Sequence, residues 1–518
     1  MATTTSLRSR RSAAQLHALA SVEREIRAQD HNGRRKYLRD FTQAYRSYES
    51  VLDRQQLNSL VHSSDILLVG DYHALPASQR FAAALLEERA QPGDRPVVLG
   101  VETIFSRDQH VLDEWWRREI DETELRQRIR FDLDWGYDWL PFYELLLTAR
   151  EHAEGIYGLD CMPREDLRKI GARDRHAVHK IAELRQRHPS AVILALFGES
   201  HLAPGHLPRL LRAQLPAERP LTILQNVDAL YWRAAGEPQE HVEAVRVGQD
   251  VVCVFNSTPL EKYENYRLCL ARWNREVDDA PDAGPTIYNL IDGLLRFLDI
   301  NRYSSHNGTQ PKFLVDLLPE IYCGASEAHL RRLLSRTDAE AAEAVFRKVE
   351  ERGSAYLPQL NAFYIREFQM MYVAEEVARF LHHACRGLPS RGNIPSDKND
   401  NSDCLYCLTV EYALGYFGSR VLFPARSPKD DSLAPAKLDL NQETLRSDGI
   451  KSEAIAQQVG YELGNNLYDA YLEGRVTRCA VRRLFLAQLE QVGAAKEICL
   501  ELLNGVRPTK KKARAAAG

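Results

Sequence analysis

Two tetrapeptides share one pattern, Gly70-Asp71-Tyr72-His73 and Gly198-Glu199-Ser200-His201, each directly after a short apolar run. Between them, another apolar run ends in Gly100-Val101-Glu102. Glycine permits a sharp reversal where a strand stops. His73 and His201 are therefore expected at strand ends, with Gly70 and Gly198 shaping the turns and Asp71 and Glu199 beside them. Two imidazoles and a carboxylate could hold one divalent metal, zinc or manganese, with a position open for water. Without a metal, Glu102 and one histidine could act as a general acid/base pair. A single GxxH is common by chance, so the reading rests on two copies with a glutamate between them.

These residues can meet only if the elements carrying them are neighbours. Six apolar runs recur between residues 66 and 255: Ile66–Val69, Val97–Val101, Ile156–Leu159, Val192–Phe197, Leu221–Leu224 and Val251–Phe255. Helix-length segments such as Ala77–Ala90, Trp139–His152 and Arg164–His188 lie between them. Continuous apolar runs indicate strands covered on both faces, and strand–helix alternation indicates a layered α/β domain with a mainly parallel sheet. In such a sheet the GxxH turns and Glu102 share the carboxyl edge, where open α/β proteins bind ligands. Strands lie roughly 4.8 Å apart, so side chains one or two strands away can converge.

The expected organisation has four parts: a helical segment over 1–61, the α/β domain over 62–258, an all-α domain over 259–505, and a basic tail over 506–518. Helical periodicity covers Ala325–Arg336, Asp338–Arg352, Phe363–Ala384 and Lys451–Glu473, with long polar loops at Gly387–Asp403 and Phe423–Gln442.

The stretch from Ile66 to Gln79, ILLVGDYHALPASQ, resembles the opening motif of the ChaN-like haem-binding uptake family, which groups with the Tiki/TraB and erythromycin-esterase-like proteins. Val101-Glu102 followed by Asp108-Gln109, the aromatic patch at Trp135–Tyr143 and Phe197-Gly198-Glu199-Ser200-His201 extend the likeness. It implies an α/β domain over about residues 62–258 whose functional positions are His73, Glu102 and His201. Asp71 stands where many members have glutamate. Relatives are described as haem-binding lipoproteins, metal-dependent proteases and esterases, so the resemblance selects no single activity.

Other candidates carry two readings each. Trp135 and Tyr137, within Phe131–Trp139, either line a substrate or haem pocket or anchor the next helix. Asp160 reaches the same crevice or caps a helix. Arg175 and His179 contact an anion or lie on a solvated helix face. His382, His383, Cys385, Cys404 and Cys407 hold zinc or pack as a buried helix pair. Gly460 and Gly464 mark close helix packing.

Composition bounds the function. The chain has 518 residues, 44% hydrophobic and 27% charged, a net charge of -4 and a mean hydropathy of -0.41. No global basic field recruits nucleic acid, and nine scattered cysteines favour a reducing compartment. No window approaches the roughly 18 apolar residues of a membrane helix, and the first residues lack an apolar signal core or lipobox-like cysteine. The expectation is a cytoplasmic protein acting on a small molecule or peptide. Three functions compete: a metal-dependent hydrolase of peptide or ester bonds, a non-covalent haem binder ligating iron through His73 or His201, and an inactive scaffold. The hydrolase is preferred.

Overall fold

Each of the six apolar runs becomes a strand of one eight-stranded sheet in the computed structural model. The structure describes residues 7–29, 36–91, 93–161, 170–237, 242–273, 282–300, 318–386 (without 325, 336 and 338), 401–427 and 449–505 (without 488 and 490–492). The strands are β1 (Ser50–Leu52), β2 (Ile66–Asp71), β3 (Val97–Phe105), β4 (Gly155–Asp160), β5 (Val192–Gly198), β6 (Pro220–Gln225), β7 (Ala244–Gly248) and β8 (Val251–Val254). Their order is β1-β7-β8-β6-β2-β5-β3-β4. Every pairing from β8 to β4 is parallel, while β7 runs antiparallel to both β8 and β1.

The apolar runs are continuous because both faces are covered. In β2, Leu67 and Val69 join one core with Leu85 and Leu86 of the helix Pro76–Arg89 and Leu145 and Leu146 of the helix Trp139–His152. Ile66 and Leu68 join the other, with Ala177, Val178 and Ile181 of the helix Ile170–Arg187 and Leu207 and Leu211 of the helix Leu207–Gln214. At β1, on the sheet edge, and at its neighbour β7, partly exposed residues leave no such run to read. Before β2, Asp53 and Gln56 form a reciprocal capping box that starts the helix Arg54–Ser63.

The chain divides into two compact units, one of residues 22–276 and one of residues 277–518 with 1–21. The second is mainly helical, as expected, but not wholly so. It holds a three-stranded sheet of β9 (Glu320–Cys323), β10 (Ser354–Leu357) and β11 (Ala362–Ile365), in the order β10-β11-β9. This corrects the all-α expectation: four-residue strands are too short to register against helical periodicity. The helix expected from Phe363 begins at Met370 instead. Gly460 and Gly464, on the helix Gly449–Leu472, pack against the helix Asn401–Leu422, where a Cβ on either would collide with Tyr412 or Ala413. The expected loops at 387–403 and 423–442 lie largely outside the described residues, as do the tail and the Cys404 side chain.

Candidate functional site

β2, β5 and β3 are consecutive in the sheet, so both GxxH turns and Glu102 rise from three adjacent strands at one edge. Asp71 and Gly198 are partners in register. The β3–β4 pairing shifts between Val101 and Phe105, so Glu102 lies in an irregular stretch of the kind that re-aims a side chain. Its carboxylate accepts the backbone N–H of Gly198. A Cβ on Gly198 would come 2.9 Å from Glu102 Oε2 and 3.3 Å from His73 Nε2, so this glycine makes room for the approach.

Each histidine is held by a carboxylate of its own. His73 Nδ1 lies 2.7 Å from Asp71 Oδ2, and the other Asp71 oxygen accepts the Gln79 amide. His201 Nδ1 lies 2.5 Å from Asp174 Oδ1. Both Nε2 atoms then face Glu102, His73 at 3.6 Å from Oε2 and His201 at 3.6 Å from Oε1. Arg173 binds Glu102 Oε1 at 2.5 Å and Asp160 Oδ2 at 2.6 Å. Burial alone would raise the Glu102 pKa, but Arg173, His201, His73 and the Gly198 N–H outweigh it and hold the carboxyl at about 2.

The three groups open on a cleft of about 140 Å³ whose wall includes Tyr37, Tyr72, Tyr137 and Tyr266. Burial, together with the nearby Tyr263 hydroxyl and Glu199 carboxylate, raises the Tyr72 hydroxyl well above its usual pKa, so it remains a proton donor. Glu199 pairs with the buried Lys262 at 3.0 Å, and that ammonium lies 4.5 Å from the Tyr72 ring centre.

The expected site residues therefore fall as follows. His73, Glu102 and His201 come together, with Gly198 and Asp71 in direct contact with them. Gly70 lies beneath the turn, where a Cβ would meet Leu202 at 3.3 Å. Trp135 and Tyr137 are buried, each with its ring centre 5.3 Å from that of His73, so they wall the imidazole and offer no open flat face. Asp160 acts through Arg173. Arg175 and His179 are exposed, and His179 pairs with Glu183.

Sequence reasoning missed Arg173 and Asp174, which sit beside the singled-out Arg175. A signal was present: residues 173 and 174 lie one turn before Ala177 and Val178, on the buried face of the same helix.

This geometry bears on both expected cofactors. A divalent metal does not suit the donors: both Glu102 oxygens are engaged, and the adjacent guanidinium already supplies the positive charge. Among the described residues no group of three or more His, Cys, Asp or Glu side chains is arranged to hold a metal, so the zinc or manganese expectation finds no support here. The cleft is below the roughly 300–1,000 Å³ of small-molecule sites, so haem bound by His73 or His201 would extend beyond it.

Residues 58–216 match the family described as "Haem-binding uptake, Tiki superfamily, ChaN". The likeness to ChaN rests on this segment. The match covers under a third of the 518 residues. Among solved structures, the chain aligns with ChaN of Campylobacter jejuni, titled for cofacial haem binding, at 13% identity and a TM-score of 0.26. That alignment covers 39% of this chain and 91% of the other. The type III effector HopBA1 aligns at 13% identity and a TM-score of 0.29, over 41% and 97% of the respective chains. At these scores neither structure bears on the site. No curated protein matches the chain. No described helix is long and apolar enough to cross a membrane.

Proposed function

We propose that the ChaN segment is a hydrolase of ester or amide bonds in which the two histidines divide the proton transfers. The supporting observation is that each imidazole is locked at Nδ1 by a buried carboxylate while both Nε2 atoms face one ionised Glu102 across the cleft. An Nδ1–H given to a carboxylate leaves Nε2 with a lone pair, the tautomer that a general base requires.

In this reading His73 Nε2 takes a proton from a water in the cleft, and the resulting hydroxide attacks the substrate carbonyl. Asp71 stabilises the imidazolium that forms. His201 protonates the leaving oxygen or nitrogen, and the Tyr72 hydroxyl is the donor available to the developing oxyanion. Glu102, ionised at about 2, is no proton donor at neutral pH; its negative charge stabilises whichever imidazole is positive. The cleft admits the reacting group while the remainder of the substrate lies outside it.

The test is hydrolysis of a panel of p-nitrophenyl esters and amides. Wild-type turnover is expected, with His73→Ala and His201→Ala each losing about 100- to 10,000-fold. Full activity in both variants, or no turnover by a folded wild-type protein, would overturn the proposal. Activity that is lost on chelation and restored by zinc or manganese would replace the metal-free form with the metal-dependent one.

The family description favours a second reading, non-covalent haem binding. Titration of haem would then give a visible absorption band that His73→Ala or His201→Ala removes.

A further inference from the structure

We infer that His201, Asp174, His206 and Asp40 form a proton relay from the buried cleft to the protein surface. It deepens the hydrolase reading, since ester hydrolysis at neutral pH yields a carboxylate and releases one proton per turnover, and that proton must leave a buried site. His201 and Asp174 are buried, yet Asp174 is not a dead end. Its Oδ1 holds His201 Nδ1 at 2.5 Å, and its Oδ2 lies 3.2 Å from Nδ1 of a second imidazole, His206. His206 Nε2 in turn lies 3.7 Å from Asp40 Oδ2. Exposure rises along the path: the side chains of His201, Asp174, His206 and Asp40 are 4%, 1%, 19% and 40% accessible.

The local structure explains the alignment. Asp174 lies on the buried face of the helix Ile170–Arg187, His206 immediately precedes the helix Leu207–Gln214, and Asp40 belongs to the helix Lys36–Ala44. Three elements thus meet around one carboxylate. If Asp174 served only to orient His201, as Asp71 orients His73, its second oxygen would need no imidazole leading outward. Asp71 gives its second oxygen to the Gln79 amide, which cannot carry a proton away.

The transfer balances as follows. His201, neutral once it has protonated the leaving group, is recharged at Nε2 by the proton that His73 took from water, then gives its Nδ1 proton to Asp174 Oδ1 and becomes neutral again. The carboxylic acid turns about its Cβ–Cγ bond and passes that proton to a neutral His206 at Nδ1. His206 then releases its Nε2 proton to Asp40 or to water. Asp174 is again a carboxylate and His206 again neutral, its Nε2–H restored by exchange with water, and one proton has left His201 for the surface.

The relay is tested without substrate, by ¹⁵N NMR of the exchange of the His201 ring proton with water in the full chain. His206→Ala, a change at a partly exposed position, is expected to slow exchange about 100-fold, with added imidazole restoring it. Asp174→Asn keeps an oxygen and an amide in place but cannot pass a proton, and is expected to slow exchange similarly without rescue. Exchange unchanged in His206→Ala would overturn the relay, as would exchange slowed in that variant but insensitive to imidazole. Because no substrate enters this measurement, a wild-type protein that turned over no ester would sink the hydrolase reading and leave the exchange result standing.

Discussion

At the scale of single residues, the site is organised around a carboxylate that cannot move. Glu102 is held by Arg173 on one oxygen and by the Gly198 N–H on the other, with an imidazole 3.6 Å from each. Gly198 has φ of -48° and ψ of 130°, which alanine adopts freely. The cost of Gly198→Ala is therefore steric: its Cβ would meet the fixed carboxylate and the His73 ring. Overpacking of this kind costs about 1–3 kcal/mol. The expected outcome is a folded protein with a modestly lower melting temperature and ester hydrolysis reduced far more than that loss of stability explains. Gly70→Ala is the control, since its Cβ would meet the end of a leucine at 3.3 Å and Glu199 Cβ only at an ordinary 3.6 Å, and none of His73, Glu102 or His201. It should retain most of the activity.

At the scale of elements, legibility followed burial and length. Six strands buried on both faces gave unbroken apolar runs, and the strand-end glycines marked where the chain turned over the sheet. β1, at the sheet edge, and its neighbour β7 have partly exposed residues, and β9 to β11 have four residues each, so neither group leaves a pattern longer than chance. Three of the five central site residues were legible for the same reason, since His73 and His201 follow strand ends and Glu102 lies within β3 where its register with β4 shifts. Arg173 and Asp174 sit within a helix, where a charged pair ordinarily faces water; only their phase relative to Ala177, Val178 and Ile181 shows that they face inward. Helix phase also decides the sign of a change elsewhere. Alanine is favoured over glycine in a helix by about 1 kcal/mol, yet Gly464→Ala would drive a Cβ into the Ala413 carbonyl and to 2.9 Å from Tyr416 Cβ. Thermal denaturation should show a net loss of stability. A gain would mean that the helices Asn401–Leu422 and Gly449–Leu472 can separate freely.

At the scale of the whole molecule, each compact unit encloses a carboxylate that arginines keep ionised. In the unit of residues 22–276 this is Glu102. In the other it is Glu375, which Arg426 binds at 2.9 Å, Tyr461 at 2.7 Å and Arg352 at 3.4 Å. Burial raises the Glu375 pKa, but Arg426, Arg352, Lys348 and the Tyr461 hydroxyl outweigh it, so this group too lies at about 2. Both pKa values are below the 4.5 of an unperturbed glutamate. A carboxyl whose pKa is depressed by folding contributes stability that is fully present above the unfolded value and lost as pH falls through the folded one. Each unit should therefore lose stability between about pH 4.5 and about pH 2.

The two losses can be read separately. All six tryptophans, at positions 115, 116, 135, 139, 232 and 273, lie in the unit containing Glu102, whereas far-UV ellipticity reports helix from both. Removing one partner of a buried ion pair costs about 3–5 kcal/mol. At pH 7, Glu102→Gln should lower the midpoint of the tryptophan fluorescence transition, and Glu375→Gln should lower the ellipticity midpoint while leaving fluorescence near its wild-type value. Both substitutions should also flatten the acid limb of the probe they affect, because the group whose protonation caused that slope is gone. If Glu375→Gln moved both probes together, the two carboxylates would not be stabilising separate cooperative units.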